Sequence, residues 1–239
     1  MTEAVLGLGS NRNFNGLTPV ELLAKACAAL TDILHEPVFS CVYRTGAMYV
    51  TDQDDFYNMA VLGTFDGTEH ELLEAIHCVE NTFGRDRSKE YRNGPRPLDI
   101  DIELFGDKTV NEADLGIPHE RLKERAFVLK PMVQILRFSA DDRNKERALK
   151  ATEWLSEYEP FLETVKNQKI ELVSDIDFAE MLKKRLESAK STAEVVLHDE
   201  RLSTEEACEI LFEAGKKLKE RKKYIDKIAA AIILEDYIK

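Results

Sequence analysis

The stretch GRDRSKEYRNGPRPLDIDIEL, Gly84 to Leu104, sets an arginine-rich loop directly before a run of alternating apolar and acidic residues. A strand has a side-chain period of two, so Asp99 and Asp101 share one face while Leu98, Ile100 and Ile102 share the other. Glu103 continues the acidic side, as on any half-exposed strand with a solvated face. What sets this strand apart is the loop before it. Arg85, Arg87, Arg92 and Arg96, with Lys89, crowd into a segment whose Gly84, Asn93, Gly94 and Pro95 cannot prolong a helix. Two adjacent carboxylates repel unless a cation lies between them. Mg²⁺ suits that place, because it is commonly held by one or two carboxylates plus substrate phosphates. The arginines would then take the remaining phosphate oxygens.

Working outward, the same strand completes a pattern. Ala4 to Gly9 reads as a short buried strand, followed by the loop from Ser10 to Pro19. Thr18 with Glu21 is a capping box that opens a helix carrying Val20, Leu22, Leu23, Ala26, Cys27 and Leu30. Pro37 to Tyr43 and Phe56 to Phe65 read as two strands around a polar loop, Thr45 to Asp55. Thr68 with Glu71 caps a second helix, bearing Leu72, Leu73, Ile76, Val79, Glu80 and Phe83 and ending at Gly84. The order is therefore strand, helix, strand, strand, helix, strand. It predicts an α+β fold, a ferredoxin-like antiparallel sheet with helices on one face.

Beyond about Leu136 the strand patterns stop, and glycine and proline fall to Gly215 and Pro160. Helices are expected over about 142–158, 161–167, 176–197 and 204–238, giving a domain over 1–138 and an all-α C-terminal extension over 139–239. Leu211, Phe212, Leu218, Ile225, Ile228, Ile232 and Ile233 form an apolar stripe there that calls for oligomerisation or a protein partner. The formal net charge of -12 argues against a nucleic-acid binder. Cys27, Cys41, Cys78 and Cys208 lack paired spacing and read as buried thiols of a reducing compartment. With no apolar run of membrane-spanning length and no signal-like start, a cytoplasmic protein without membrane association is expected.

Several separated motifs now agree. Ser10-Asn11, Tyr43-Arg44-Thr45, Gln53 to Asn58, Glu80 with Gly84 to Arg87, Gly94 to Asp101, and Pro118-His119 with Arg125-Ala126-Phe127 follow in one order. Together, over about Met1 to Leu136, they resemble the 6-hydroxymethyl-7,8-dihydropterin pyrophosphokinase family of folate biosynthesis. The resemblance implies transfer of the β,γ-pyrophosphoryl group of ATP to the pterin hydroxymethyl oxygen, with release of AMP. It implies two Mg²⁺ ions on Asp99 and Asp101, and catalytic roles for Arg85, Arg87, Arg92, Arg96 and Asp101. It places ATP against Glu80, Arg87, Arg96, Ile100, His119 and Arg125, and the pterin against Thr45, Phe56, Asn58 and Phe127. Gly46 to Tyr49, where the family commonly has proline, and Tyr91 to Asn93 depart from its pattern. The competing reading is a catalytically degenerate domain of the same fold whose helical part is an interaction module. Intact Asp99, Asp101, Arg85, Arg87 and Arg96 argue against it.

Overall fold

The computed structural model of the protein describes residues 1–48, 50, 52–87, 94–139, 156–158, 160–161, 170–173, 181–184 and 187. Strand β1 spans Thr2–Ser10, helix α1 Pro19–Leu30, β2 His35–Phe39, β3 Tyr43–Thr45 and β4 Phe56–Phe65. Helix α2 follows at Glu69–Thr82, then β5 Asp99–Phe105, β6 Val110–Asn111, β7 Gly116–Ile117, α3 Ala126–Ser139 and β8 Ile170–Leu172. Both helix starts carry the capping box legible in the sequence. The Glu21 amide donates to Thr18 Oγ1 at 3.4 Å while the Thr18 amide donates to Glu21 Oε2 at 2.9 Å, and Thr68 with Glu71 repeats the exchange. Gly84 ends α2 at φ +86°, with its Cα face pressed on Phe14, whose ring atoms would lie 2.3 Å from any Cβ. Only glycine fits there.

The main sheet runs β5-β1-β4-β3-β8, and β2 also pairs with β4. Every pair is antiparallel. Apart from β8, this is the split βαβ order: fourth strand, first, third, second. One expected strand differs, because the run over 37–43 is broken into β2 and β3. At the break the Ser40 hydroxyl accepts the Ala60 amide at 2.8 Å while the Ser40 amide still donates to the Ala60 carbonyl at 3.0 Å, so a side-chain oxygen replaces one backbone acceptor in the ladder.

Even positions of β1, odd positions of β4 and Ile100 and Ile102 of β5 form the face that meets the helices, and past the register shift at Val5/Leu6 it is Phe105, opposite Ala4, that joins them. Leu6, Leu8, Met59, Val61, Ile100 and Ile102 pack there with Leu23, Cys27 and Leu30 of α1 and Leu72 and Ile76 of α2. Each such side chain, fully buried, contributes about 1.5–3 kcal/mol. The other face holds Gly7, Gly9, Asn58, Asp99, Asp101 and Glu103, with Phe127 and Val128 at the start of α3 beside them.

The chain divides into two compact units, one of Met1–Ile135 with Leu155–Val195 and one of Leu136–Trp154 with Val196–Lys239. The expected boundary at residue 138 therefore fails to describe the first unit. The expected all-α extension is also corrected: Ile170, Glu171 and Leu172 pair with Thr45, Arg44 and Tyr43, and the Val173 amide donates to the Val42 carbonyl at 2.8 Å. Leu182, 2% exposed, belongs to the core, and Tyr158 is buried. Three residues are too short a run for period-two reading, and the partner edge lies far away in sequence. Residues 156–158 and 181–184 are helical, whereas the expected helix over 204–238 and most of the others lie outside the described residues. Of the cysteines expected to be buried, Cys27 is, Cys41 is half-buried and Cys78 is exposed.

Candidate active site

Register builds the floor of the site. Gly9 is opposite Asn58 on β4 and Asp99 on β5, and Gly7 is opposite Ala60 and Asp101. Directly paired antiparallel residues point to the same face, so the two aspartates stand beside two bare positions of β1. A Cβ at Gly9 would lie 3.2 Å from Asn58 Oδ1, and one at Gly7 only 2.8 Å from Glu103 Oε1. The glycines make room for those side chains on the sheet surface. Around this floor one cavity is lined by Thr45, Gln53, Phe56, Asn58, Arg96, Asp99, Asp101, Glu103, Arg125 and Phe127, among others.

The expected pterin-contacting residues come together here. Asn58, 4% exposed, donates its amide N–H to Thr45 Oγ1 at 2.9 Å, which fixes the amide and leaves Oδ1 as an acceptor on the floor. The Arg96 guanidinium lies 5.7 Å from the Phe56 ring centroid, and Arg125 lies 5.7 Å from that of Phe127. Each phenylalanine is thus held by a cation on the same rim.

The arginines are organised by a buried acid. Glu80, 1% exposed, pairs closely with Arg85, with Arg87 at 2.7 Å, and accepts the Ile100 amide at 2.8 Å. Arg85 also pairs closely with Asp99, and Arg96 reaches Asp99 Oδ2 at 2.9 Å. Glu80 and Ile100, both expected at ATP, are therefore internal: Ile100 buries its side chain in the helix-facing core and its amide is already donated. Arg92 lies outside the described residues. Arg125 approaches Asp101 at 3.7 Å and His119 Nε2 at 3.5 Å. His119 Nδ1 accepts the Arg121 amide at 3.2 Å, so in the neutral ring the proton sits on Nε2.

These neighbours set the charges. Burial raises the Asp99 carboxyl, but Arg96 and Arg85 outweigh it and hold Asp99 below the usual carboxylate range. Asp101 is pushed up to about 7, first by burial and then by the Asp99 charge. Burial, and then Arg125, lower His119 to about 4, which keeps it neutral near pH 7. Glu103 is raised well above its ordinary value by burial and then by Asp101.

For a divalent cation the donor set fits in one particular way. Asp99 and Asp101 offer hard oxygens on one face, and among the described residues no three histidine, cysteine or acidic side chains group closely enough to enclose an ion. Two carboxylates with the remaining positions left to water and substrate oxygens suit Mg²⁺. Asp99 must then loosen its hold on Arg85 or Arg96.

Two participants were not predicted as site residues. Asn11 ties the loops on either side of the cavity: its side-chain oxygen accepts the Arg96 amide at 2.8 Å, and its amide N–H donates to Gln53 Oε1 at 3.2 Å and to the Asp54 carbonyl at 3.1 Å. It belongs to a motif quoted for the resemblance, yet a loop asparagine gives no spacing signal of its own. Glu103, expected on a solvated strand face, is 1% exposed and lines the cavity with Phe127 and Val128 of α3.

Comparison with known proteins finds matches to the first part of the chain. The sequence model of 7,8-dihydro-6-hydroxymethylpterin-pyrophosphokinase matches residues 5–137. A second model, Holliday junction resolvase, matches residues 162–239, few of which are described. The mitochondrial folate synthesis bifunctional protein of Arabidopsis thaliana is 39% identical over 143 residues, which is 59% of this chain and 24% of that protein. The 2-amino-4-hydroxy-6-hydroxymethyldihydropteridine pyrophosphokinase of Methylorubrum extorquens is 39% identical over 137 residues, 56% of this chain and 83% of that protein. A crystal structure of Plasmodium falciparum HPPK-DHPS is 18% identical with a TM-score of 0.41, covering 54% of this chain and 39% of that one. The match thus spans about a quarter of the plant bifunctional proteins, 24% and 29% of the two from Arabidopsis. With more than half of its length matched, this chain belongs to the 7,8-dihydro-6-hydroxymethylpterin-pyrophosphokinase family.

Proposed function

We propose that the chain transfers pyrophosphate from ATP to 6-hydroxymethyl-7,8-dihydropterin, yielding the pterin diphosphate and AMP. The observation that carries this reading is where the unpaired polar atoms lie. Among the described residues the buried side-chain atoms without a hydrogen-bond partner are Arg96 Nε, Arg125 Nε and both oxygens of Glu103, and all three residues line the one cavity. Buried polar groups are rarely left unpaired unless a ligand completes them. Arginines aimed at a cavity with paired aspartates suit a polyphosphate; two phenylalanines beside a buried amide suit a flat heterocycle.

In this reading Phe56 and Phe127 enclose the pterin ring, while Asn58 and Thr45 read its edge. Arg85, Arg87 and Arg96 bind phosphate oxygens, and Arg125 with the Nε2–H of His119 takes others. They act by positioning and by charge already in place before reaction. Asp99 and Asp101 would hold Mg²⁺, two ions by family resemblance, which when bound neutralises the triphosphate and polarises the phosphorus under attack. Asp101, given a catalytic role by the family resemblance, is the acid assigned to receive the proton of the hydroxymethyl group. Arg92 is assigned to the same phosphates from the sequence alone. The catalytic part is the first compact unit, and the small-molecule substrates are its partners. The degenerate-domain alternative has no observation in its favour.

The test is incubation of the purified chain with ATP, Mg²⁺ and 6-hydroxymethyl-7,8-dihydropterin, followed by separation of nucleotides. Pterin-dependent AMP without free pyrophosphate is expected. ADP, or phosphate released without regard to the pterin, would overturn the assignment.

A further inference from the structure

We propose that Glu103 is a specificity-determining residue of the heterocycle slot, its carboxyl group accepting N–H donors from the amino-bearing edge of the pterin. The proposal rests on the pterin reading above and names a contact within it. Glu103 is 1% exposed and lines the cavity, and neither of its oxygens has a partner among the described residues. A buried unpaired carboxyl group costs several kcal/mol, whereas an aliphatic side chain at this strand position would cost nothing of the kind. Its place is defined by Gly7, over which the carboxyl group lies so closely that a Cβ would come within 2.8 Å of Oε1.

The chemistry of the occupants selects the ligand. ATP phosphates offer only acceptors and negative charge, which repel a carboxylate, and Arg96 and Arg125 already answer them. A third metal ligand is not supported, since no three acidic or imidazole groups among the described residues group around one point. Arg125 and Glu103 do not satisfy each other, because Arg125 Nε is also without a partner. What remains is a donor on the heterocycle. A carboxyl group keeps an acceptor oxygen in either protonation state. Asn58 Oδ1 stands over Gly9, two positions along β1 from Gly7, so the floor presents two acceptors in a row along one strand. A ring carrying an amino group and adjacent ring N–H donors fits such a row, and a ring with an oxygen in place of the amino group meets repulsion.

The experiment measures binding of 6-hydroxymethylpterin and its 2-oxo counterpart, 6-hydroxymethyllumazine, to the full chain in the presence of Mg²⁺ and a non-hydrolysable ATP analogue. Wild type is expected to prefer the amino compound. Glu103→Leu is expected to lose tenfold or more in pterin affinity and most of that preference, with unchanged affinity for the ATP analogue and a melting temperature equal or higher. Glu103→Gln, which gains a donor able to serve the 2-oxo oxygen, narrows the preference and gives the same readout should the leucine variant fail to fold. Unchanged pterin affinity and preference in the folded variants would overturn the proposal. If wild type binds the ATP analogue but neither heterocycle, the pterin reading itself falls, and this inference falls with it.

Discussion

Glu80 shows how much a single residue can organise. One buried carboxylate accepts two arginines and a backbone amide, and the arginine it shares with Asp99 connects it to the paired acids. Glu80→Gln leaves Arg85 partly uncompensated in a buried place, and such losses cost about 3–5 kcal/mol. The expected result is a clear fall in the urea midpoint together with reduced turnover, whereas a purely ligand-contacting glutamate would lower activity with stability intact. Asp101 gives a pH prediction. A proton held up to about pH 7 must leave before a cation enters. Mg²⁺ affinity should therefore rise about tenfold per pH unit up to about pH 7 and flatten above it, as titration calorimetry would read. Its folded-state proton affinity is raised, so its contribution to stability is present at low pH and is lost as pH rises through about 7. Glu103 acts in the same direction, and added Mg²⁺ should offset the loss at pH 8. An affinity flat between pH 5.5 and 8 would remove Asp101 from the metal site.

At the scale of elements, much of the fold was legible because its signals are local. Both capping boxes, the glycine stop at Gly84 and the two-faced aspartate strand are set by residues within a few positions of each other. The cluster of Thr45, Asn58, Phe56, Phe127 and the arginines was legible through the pattern of motifs rather than through any one of them. What escaped depends on distant partners. The break between β2 and β3 needs Ala60 opposite Ser40, the burial of Glu103 needs what covers β5, and β8 needs a strand more than a hundred residues earlier. Strand β8 borders β3, which carries Thr45, and the Arg44 Nε–H donates to Glu171 Oε2 at 3.1 Å across that border. Glu171→Lys puts like charges opposite each other. Because the pair is largely exposed, stability should change little. The Michaelis constant for the pterin should rise several-fold with that for ATP unchanged; equal changes in both would mean that β8 does not act through β3.

For the whole molecule the telling fact is that the first compact unit takes in residues well beyond the family match, which ends at residue 137. Leu182 sits in the same core as Leu6 and Ile100. Leu182→Ala should cost about 2–5 kcal/mol, measured by chemical denaturation. A chain ending at residue 138 is expected to be poorly soluble and inactive, while one ending at 195 keeps the core complete and makes AMP. Full activity in the shorter chain would show residues 155–195 to be dispensable. Among the described residues no helix is long and apolar enough to cross a membrane.

The pairing of β3 with β8 also has a consequence for synthesis on the ribosome. Arg44 and Glu171 are 127 residues apart, and at about 5–20 residues per second the outer edge of β3 waits about 6–25 s for its neighbour to be made. During that interval the nascent chain presents an open strand edge, the kind of surface that recruits other chains. The sheet that carries the candidate site is thus finished late, and slow elongation between residues 45 and 170 would lengthen the time in which chaperones, rather than β8, must keep that edge covered.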